Sequence, residues 1–424
     1  MSPSLPSRGP APEKANHSSS LSASTLAIHA DDHLAATSDV APPLHVSTTF
    51  RYPSSPSLLI AAADLPASFT PPCDTHVYSR HTAPNTTRLE ALLSSLLNAH
   101  AVTYSSGLAA LHAALVFLNP RRLSIGDGYH GSHGVVAIHQ KLTGMVKLPL
   151  DCPADELQPG DVIHLETPVN PTGEAFNIAS YAAKAHARGA LLLVDATFGP
   201  PGLQDPFAWG ADVVMHSGTK YLAGHSDMLC GVLAVKKKEW MEELSEERAS
   251  LGSVMGSLEG WLGVRSLRTL ELRVKRQSET AGRLVGWLHG LLGSGAKDGA
   301  AEEGQDRDAG LVRRVVDKVT HASLQDGDRP WLEKQMPGGY GPVFAIWMRD
   351  EGLAKRLPSL LGLFHHATSL GGVESLIEWR AMSDTTCSRS LLRVSVGVEA
   401  WEDLKADLLG GFAGLLKGGD DEKR

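Results

Sequence analysis

The amino-acid sequence predicts an α/β protein: a large domain on a mainly parallel sheet with helices on both faces, followed by a smaller carboxyl-terminal α+β domain. Three observations carry this. The runs "DVIHLE" (161–166), "ALLLVDATF" (190–198) and "ADVVMHS" (211–217) are apolar, short, and bounded by Gly, Pro or Asp, as buried strands are. Between the first two lies "IASYAAKAHARGA" (178–190), which reads as a crossover helix, and such alternation builds a parallel sheet. After about Arg265 the texture changes to "LRTLELRVKRQSETAGRLVGWLHGLL" (267–292), a long amphipathic helix that opens a second unit.

From the amino terminus, the first 25 residues hold eight Ser and four Pro, with Arg8 and Lys14 as basic residues, and are expected to be disordered. A transit peptide is the alternative, disfavoured by the scarcity of Arg. The expected boundaries are a disordered leader at 1–28, an arm at 29–76, the large domain at 77–266, the second domain at 267–417 and a disordered tail at 418–424. "TRLEALLSSLLNAHA" (87–101) has apolar residues at helical spacing. "GSGAKDGAAEEGQDRDAG" (293–310) is polar and Gly-rich and predicts a flexible loop.

Over 424 residues, a hydrophobic content of 42% and a charged content of 20% suit a globular chain with a sizeable core. The net charge of −8 argues against nucleic acid or an anionic membrane as the principal partner. Cys73, Cys152, Cys230 and Cys387 are far apart with no CxxC pair, so buried thiols are expected rather than disulfides, and no metal site is expected. No apolar run approaches bilayer length, and the cytoplasm is the default location.

One motif points elsewhere. "GDGYHG" (126–131) matches G-x-G-x-x-G, and Asp151 follows twenty residues later, as in a dinucleotide fingerprint for an NAD-binding oxidoreductase. Against it, "SHGVVAIHQ" keeps a glycine and β-branched residues where the fingerprint opens a helix.

The stronger constellation lies at the strand ends. Asn170 follows the first strand, Asp195 ends the second, and Ser217 to Lys220 follow the third. In a parallel sheet these carboxyl ends share one edge, where ligands bind. A carboxylate ending "LLLVD" is costly to bury without a cationic partner; a structural Asp capping a loop is the plain alternative. A lysine coming straight off a buried strand has a lowered pKa, and its neutral amine can condense with an aldehyde. If that aldehyde is pyridoxal phosphate, Asp195 keeps the ring nitrogen protonated and Ser217 and Thr219 offer hydroxyls to the phosphate. "YSSGLAALHAALVFL" (104–118) brings small residues into a helix start, whose free N–H groups and dipole attract an anion.

On these residues the chain resembles the Cys/Met-metabolism (trans-sulfuration) family of pyridoxal-phosphate enzymes, which includes cystathionine γ-synthases, γ- and β-lyases and methionine γ-lyases. The likeness runs from about His29 to Leu408. "HSGTKYLAGHSD" (216–227) is similar to the signature around the cofactor lysine, "ETPVNPTG" (166–173) to E-x-P-x-N-P, and "VDATF" (194–198) to V-D-x-T-F. "YSSGLAA", "YSRHTAPNTTRLE" (78–90), "TSLGGVESL" (368–376) and "LLRVSVGVE" (391–399) match further segments.

The resemblance implies the aspartate-aminotransferase-like fold, called fold type I. It implies that Lys220 holds the cofactor and moves protons, and that Asp195 pairs with the pyridinium. Gly107, Leu108, Ser217 and Thr219 would hold the phosphate, Thr197 would belong to the same cofactor shell, and Tyr129 would stack on the ring. Tyr78 and Arg80 would reach the phosphate from a neighbouring subunit, so a homodimer is the minimum and a tetramer is expected. Arg393, Ser369 and Asn170 would hold the α-carboxylate of an amino-acid substrate.

The pattern departs at the substrate's distal end. Thr368 stands where cystathionine-handling members often place an acid, and Gly134 stands where many carry an arginine. "NTT" (85–87) replaces N-P-T, and "MSD" (382–384) replaces M-T-H. Losing two charged contacts weakens recognition of a zwitterionic distal group by some kcal/mol. His130 and His133 are candidates to replace them, or ordinary loop histidines. The expected activity is γ-replacement on an activated homoserine. The alternative is β- or γ-elimination from cystathionine or a related thioether. A non-catalytic scaffold is a third class, opposed by the intact Lys220 and Asp195.

Overall fold

The structure is a computed structural model that describes residues 21–293 and 303–421, apart from residue 36 and residues 65–75. In chain order the elements of the first unit begin with α1 (Ala23–His29), α2 (Pro84–Leu96), β1 (His100–Tyr104), α3 (Gly107–Leu118) and β2 (Arg122–Ile125). They continue with α4 (His130–Thr143), β3 (Val146–Pro149), β4 (Val162–Glu166), α5 (Ile178–His186), β5 (Leu191–Asp195), β6 (Val213–Ser217) and β7 (Gly231–Val235). After α6 (Lys238–Leu251) and α7 (Ser257–Leu267), the long α8 (Leu270–Gly293) leads to the second unit. There follow α9 (Glu303–Val315), β8 (Val316–Thr320), α10 (Arg329–Gln335), β9 (Val343–Met348) and α11 (Glu351–Arg356). Last come β10 (His365–His366), β11 (Leu376–Trp379), β12 (Leu391–Ser395) and α12 (Trp401–Asp421).

The first sheet has seven strands in the order β1-β7-β6-β5-β4-β2-β3, all parallel except β7. The three strands expected from apolar runs are its centre. Val194 and Val214 face one core with Leu89, Ala182 and Leu267, while Leu193 and Val213 face another with Leu111, Val136 and Leu244. Residues in alternate positions are therefore buried on both faces, which is why these strands read as unbroken apolar runs. Each fully buried Leu or Val contributes roughly 1.5–3 kcal/mol. The second sheet, of five strands, runs β10-β11-β12-β9-β8 and packs on α8, α9 and α12 around Leu284, Val312, Phe344, Val394 and Phe412.

Four expectations need correction. Residues 1–20 of the leader lie outside the described residues, but Ala23–His29 is helical. Asp31 anchors that start: buried, it pairs with Arg88 and Arg268 at 2.8 Å each. Of the expected loop, 294–302 lie outside the described residues, while 303–310 form the first turns of α9, because Ala309, Val312 and Val315 make one apolar face against the second core. Helix α12 continues to Asp421, into the stretch expected as a tail, of which 422–424 lie outside the described residues. Finally, a helix does open after "GDGYHG": Tyr129 caps α4, which buries Val135 and Val136 despite its glycines. Gly128, just ahead of the helix, serves packing, since a Cβ there would stand 2.5 Å from Glu166 Oε2.

The arm is held where it meets the large domain. Asn85 donates to Pro43 O at 2.9 Å and accepts from His45 N at 2.8 Å, and Trp261 Nε1 donates to Pro42 O at 2.8 Å. Among the described residues no helix is long and apolar enough to cross a membrane.

Candidate active site

The carboxyl ends of β1, β4, β5 and β6 lie along one edge of the large sheet, because β7 is the only reversed strand. A cavity of about 300 Å³ opens there against the second unit. Lys220, Asp195, Tyr129, Asn170, Ser217, Thr219, Gly107, Leu108, Thr197, Ser369 and Arg393 all line it. Eleven of the thirteen residues expected from the sequence therefore meet at one place.

Lys220 follows β6 in a tight turn, its N–H bonded to Ser217 O at 3.1 Å. Its amine donates to Ser369 Oγ at 2.8 Å, and Ser369 is held at φ 74, an uncommon conformation for a residue with a side chain. Burial, then the Arg393 charge, bring the amine down to about 8, opposed by Glu378. About a tenth of this amine is thus neutral and nucleophilic at pH 7, against well under a thousandth for an ordinary lysine.

Asp195 ends β5 and is buried, and Thr197 donates to its Oδ1 twice, from N at 3.0 Å and from Oγ1 at 2.5 Å. Thr197 Oγ1 in turn accepts from Ser217 N at 2.8 Å, which ties the carboxylate to the lysine turn. Glu166 ends β4 in register with Asp195. It accepts from Tyr129 N at 2.9 Å and Asn170 N at 2.7 Å. Burial and the Asp195 charge push Glu166 up to about 8, so Glu166 holds a proton beside the Asp195 carboxylate. Burial alone raises Asp195 as well, which makes it a ready partner for a cation brought into the cavity.

Helix α3 starts at the same edge. Ser106 caps it, accepting from Ala109 N at 3.1 Å, while the N–H groups of Gly107 and Leu108 have no intrahelical acceptor. Glycine is required at 107, because a Cβ there would lie 2.9 Å from Ser217 Cβ and Oγ. Among the described residues the Ser217 hydroxyl meets no partner, so it and two helix N–H groups converge on one place. The Thr219 hydroxyl also lines the cavity but is paired with the backbone of Cys230, donating at 3.3 Å and accepting at 3.0 Å.

At the opposite wall Arg393, on β12, donates to Asn170 Oδ1 at 3.3 Å and Ser369 O at 2.7 Å, and pairs with Glu378 at 2.5 Å. Tyr78 and Arg80 are not brought to this cavity; Arg80 donates to Ala249 O at 3.1 Å and lies over the Tyr78 ring. His130 does line it, with its ring 4.9 Å from that of Tyr129. His133 turns away to Lys147 Nζ at 3.2 Å, and burial followed by that ammonium lowers its pKa.

Sequence reasoning passed over Glu378 and Arg380, and met Glu166 and Ser383 within the motifs "ETPVNPTG" and "MSD" without giving either a role. Glu166 stood in plain view at the end of an apolar strand. The charges of "LIEWRAMSD" (376–384) stand out in a largely apolar stretch, the one signal that could have found the others. The residues present fit pyridoxal phosphate: an amine, a buried carboxylate for a ring cation, and an anion cradle at the start of α3.

The comparisons agree. Residues 24–413 match the family model described as "Cys/Met metabolism PLP-dependent enzyme". A cystathionine beta-lyase of Lactococcus lactis is 33% identical, over 78% of this chain and 87% of its own length. The cystathionine gamma-synthase of Escherichia coli is 31% identical, over 89% of this chain and 94% of its own. The crystal structure of a methionine gamma lyase from Micromonospora echinospora superposes with a TM-score of 0.78 at 31% identity, covering 93% of this chain and all of that one. The chain belongs to the Cys/Met-metabolism family of pyridoxal-phosphate-dependent trans-sulfuration enzymes, which act on carbon–sulfur bonds.

Proposed function

We propose that the enzyme catalyses γ-replacement on an activated L-homoserine, in which an ester at Cγ leaves and a thiol or another nucleophile takes its place. The observation that carries this is the charge at the far end of the cavity. A cystathionine-like substrate brings a zwitterion there, whose ammonium calls for an acid, but the lining away from the sheet edge includes Thr368, Ser383, His130 and Arg380. The acids lining the cavity are Glu166 and Asp195, both at the sheet edge. The nearest acids, Glu378 and Asp384, are engaged by Arg380 and Arg393, so an ammonium finds no free carboxylate there, whereas an ester group needs none.

Bound at Lys220, pyridoxal phosphate supplies an electron sink for charge that develops at Cα. Asp195, fixed by Thr197, would keep the ring nitrogen protonated. Gly107 N, Leu108 N and Ser217 Oγ would hold the phosphate, with Tyr78 and Arg80 contributed by a second subunit. Tyr129, fixed through its own N–H to Glu166, would pack against the ring. Arg393 and Asn170 take the α-carboxylate and orient the Cα–H toward Lys220. With an amine near neutrality, Lys220 accepts the Cα proton and can return it further along the side chain. Ser369, 2.8 Å from the amine, positions it.

The elimination reading uses the same residues, and relatives named as β-lyase and as γ-synthase stand at comparable identity. Steady-state assays separate the two. Product formation from an O-acyl-L-homoserine plus cysteine, with little keto acid from cystathionine alone, is expected. Keto-acid release from cystathionine alone, with no replacement product, refutes the proposal. The cofactor itself is checked by a visible absorbance band that borohydride bleaches and that Lys220→Ala lacks.

A further inference from the structure

Tyr129 and Glu166 line the active-site cavity, and behind them lies a second, much smaller cavity of about 10 Å³ that the same two residues also line. Its other walls include Ser132 and His133 of α4, Asp127 from the turn before that helix, and His164 of β4. His164 and Glu166 are two residues apart on one strand, so both leave the same face of the sheet, opposite to Ile163 and Leu165 in the first core. His164 and Ser132 are 2% and 1% exposed. Among the described residues, neither ring nitrogen of His164 nor Ser132 Oγ has a hydrogen-bond partner. Three idle polar atoms around one small cavity are costly unless something there satisfies them. Glu166 adds a fourth. Its two oxygens accept from the N–H groups of Tyr129 and Asn170, and among the described residues nothing accepts from it. Burial and the Asp195 charge favour its protonated form, so it carries an O–H that needs an acceptor. Burial brings His164 down to about 4, which leaves a neutral ring with one N–H to give and one lone pair to receive.

A cavity of that size holds one water, and a buried water takes two to four polar partners. We propose that this cavity is a water site, whose water accepts from the Glu166 carboxyl and donates to His164 and to Ser132 Oγ, and that it links Glu166 to solvent through His164 and His133. Ser132 and His164 are then positioning residues. Through the water they keep the Glu166 proton turned from Asp195, so that Asp195 stays the one anion of the pair while Glu166 holds Tyr129 and Asn170. The same link is a rear path for protons. Glu166 passes its proton to the water as the water passes one to a ring nitrogen of His164, and the other ring nitrogen releases one to His133. No electrons change hands, and the reverse sequence restores Glu166. The path ends at the surface, since His133 is half-buried and Asp127 is exposed. The charges that face Glu166 are Asp195 and Arg380, and those around His133 are Lys147, Asp127, Asp384 and His130. The site is the same whether the enzyme replaces or eliminates.

Two measurements test it, neither of them turnover. A high-resolution crystal structure of the cofactor-loaded enzyme should show one ordered water at roughly 2.7–3.2 Å from the Glu166 carboxyl, Ser132 Oγ and a ring nitrogen of His164. A dry cavity, or a direct bond between His164 and Ser132, overturns the proposal. The path is read by infrared spectroscopy of the same enzyme. The carbonyl band of a protonated carboxyl, identified by its loss in Glu166→Gln, is followed after transfer into heavy water. In the parent the band should shift within the mixing time. His164→Phe, or Ser132→Val if the first does not fold, fills the cavity with carbon. The shift should then slow at least about tenfold, because the proton leaves only when the wall opens locally. A parent that lacks the band, or equal exchange in parent and variant, overturns the proposal.

Discussion

Lys220→Met should stabilise the cofactor-free protein while abolishing its chemistry. Burial, with Arg393 nearby, holds the amine at about 8 instead of 10.5. At about 1.4 kcal/mol per unit this gap is worth about 3 kcal/mol at neutral pH, charged against the folded state. Methionine of similar length removes that penalty and forfeits the bond to Ser369, worth about 1 kcal/mol. The expected net gain is thus ~1–3 kcal/mol. The sign follows from proton binding. Between about pH 8 and pH 10.5 the unfolded chain keeps the proton on Lys220 and the folded chain does not, so the parent's stability rises with pH across that window. The advantage of the variant is therefore full below about pH 8 and is lost by about pH 10.5. Urea denaturation of both proteins, freed of cofactor and held at equal concentration, measures it at pH 7 and again at pH 10. A variant less stable than the parent at pH 7, or a difference that does not shrink with pH, refutes the assignment of Lys220 as a desolvated amine.

Two further outcomes are expected. Gly107→Ala pushes a methyl into Ser217, whose Cβ and Oγ would stand 2.9 Å away, so the affinity for pyridoxal phosphate should fall at least about tenfold, read by equilibrium dialysis; an unchanged affinity removes the start of α3 from the phosphate site. Arg80→Ala and Lys220→Ala, each expected to be nearly inactive alone, should recover about a quarter of the parental activity when unfolded and refolded together at equal amounts, because half of the resulting dimers carry one intact site of two. No recovery places Arg80 outside the partner's site.

Much of the large domain was legible from local pattern. Strands β4, β5 and β6 declared themselves because strands buried on both faces admit few polar residues, and α5 because a crossover needs one apolar stripe. The site residues carried on those strand ends were legible for a related reason: an aspartate or lysine at the end of a buried strand is expensive, so its presence asks for chemistry. Helix α9 was hidden. Its apolar positions, Ala309, Val312 and Val315, are sparse among charges, and they become a stripe only against the core formed by α8 and α12. Helix α4 was hidden by glycines and β-branched residues whose low propensity is overridden once Val135 and Val136 pack beneath the sheet edge.

The sequence by itself determined the fold class and picked out the candidate lysine, the candidate aspartate and the helix start proposed to cradle an anion, because each is written in a few contiguous residues whose spacing or burial has one economical explanation. Only the tertiary structure decided the far end of the cavity. Glu378, Arg380 and Asp384 lie near one another in the chain, yet their meaning depends on Arg393 across the β11–β12 register and on His130 from the other unit, 250 residues away. Charge in a site is a sum over groups that the chain brings together from distant places. No local pattern records that sum, and it is the sum that selects the substrate.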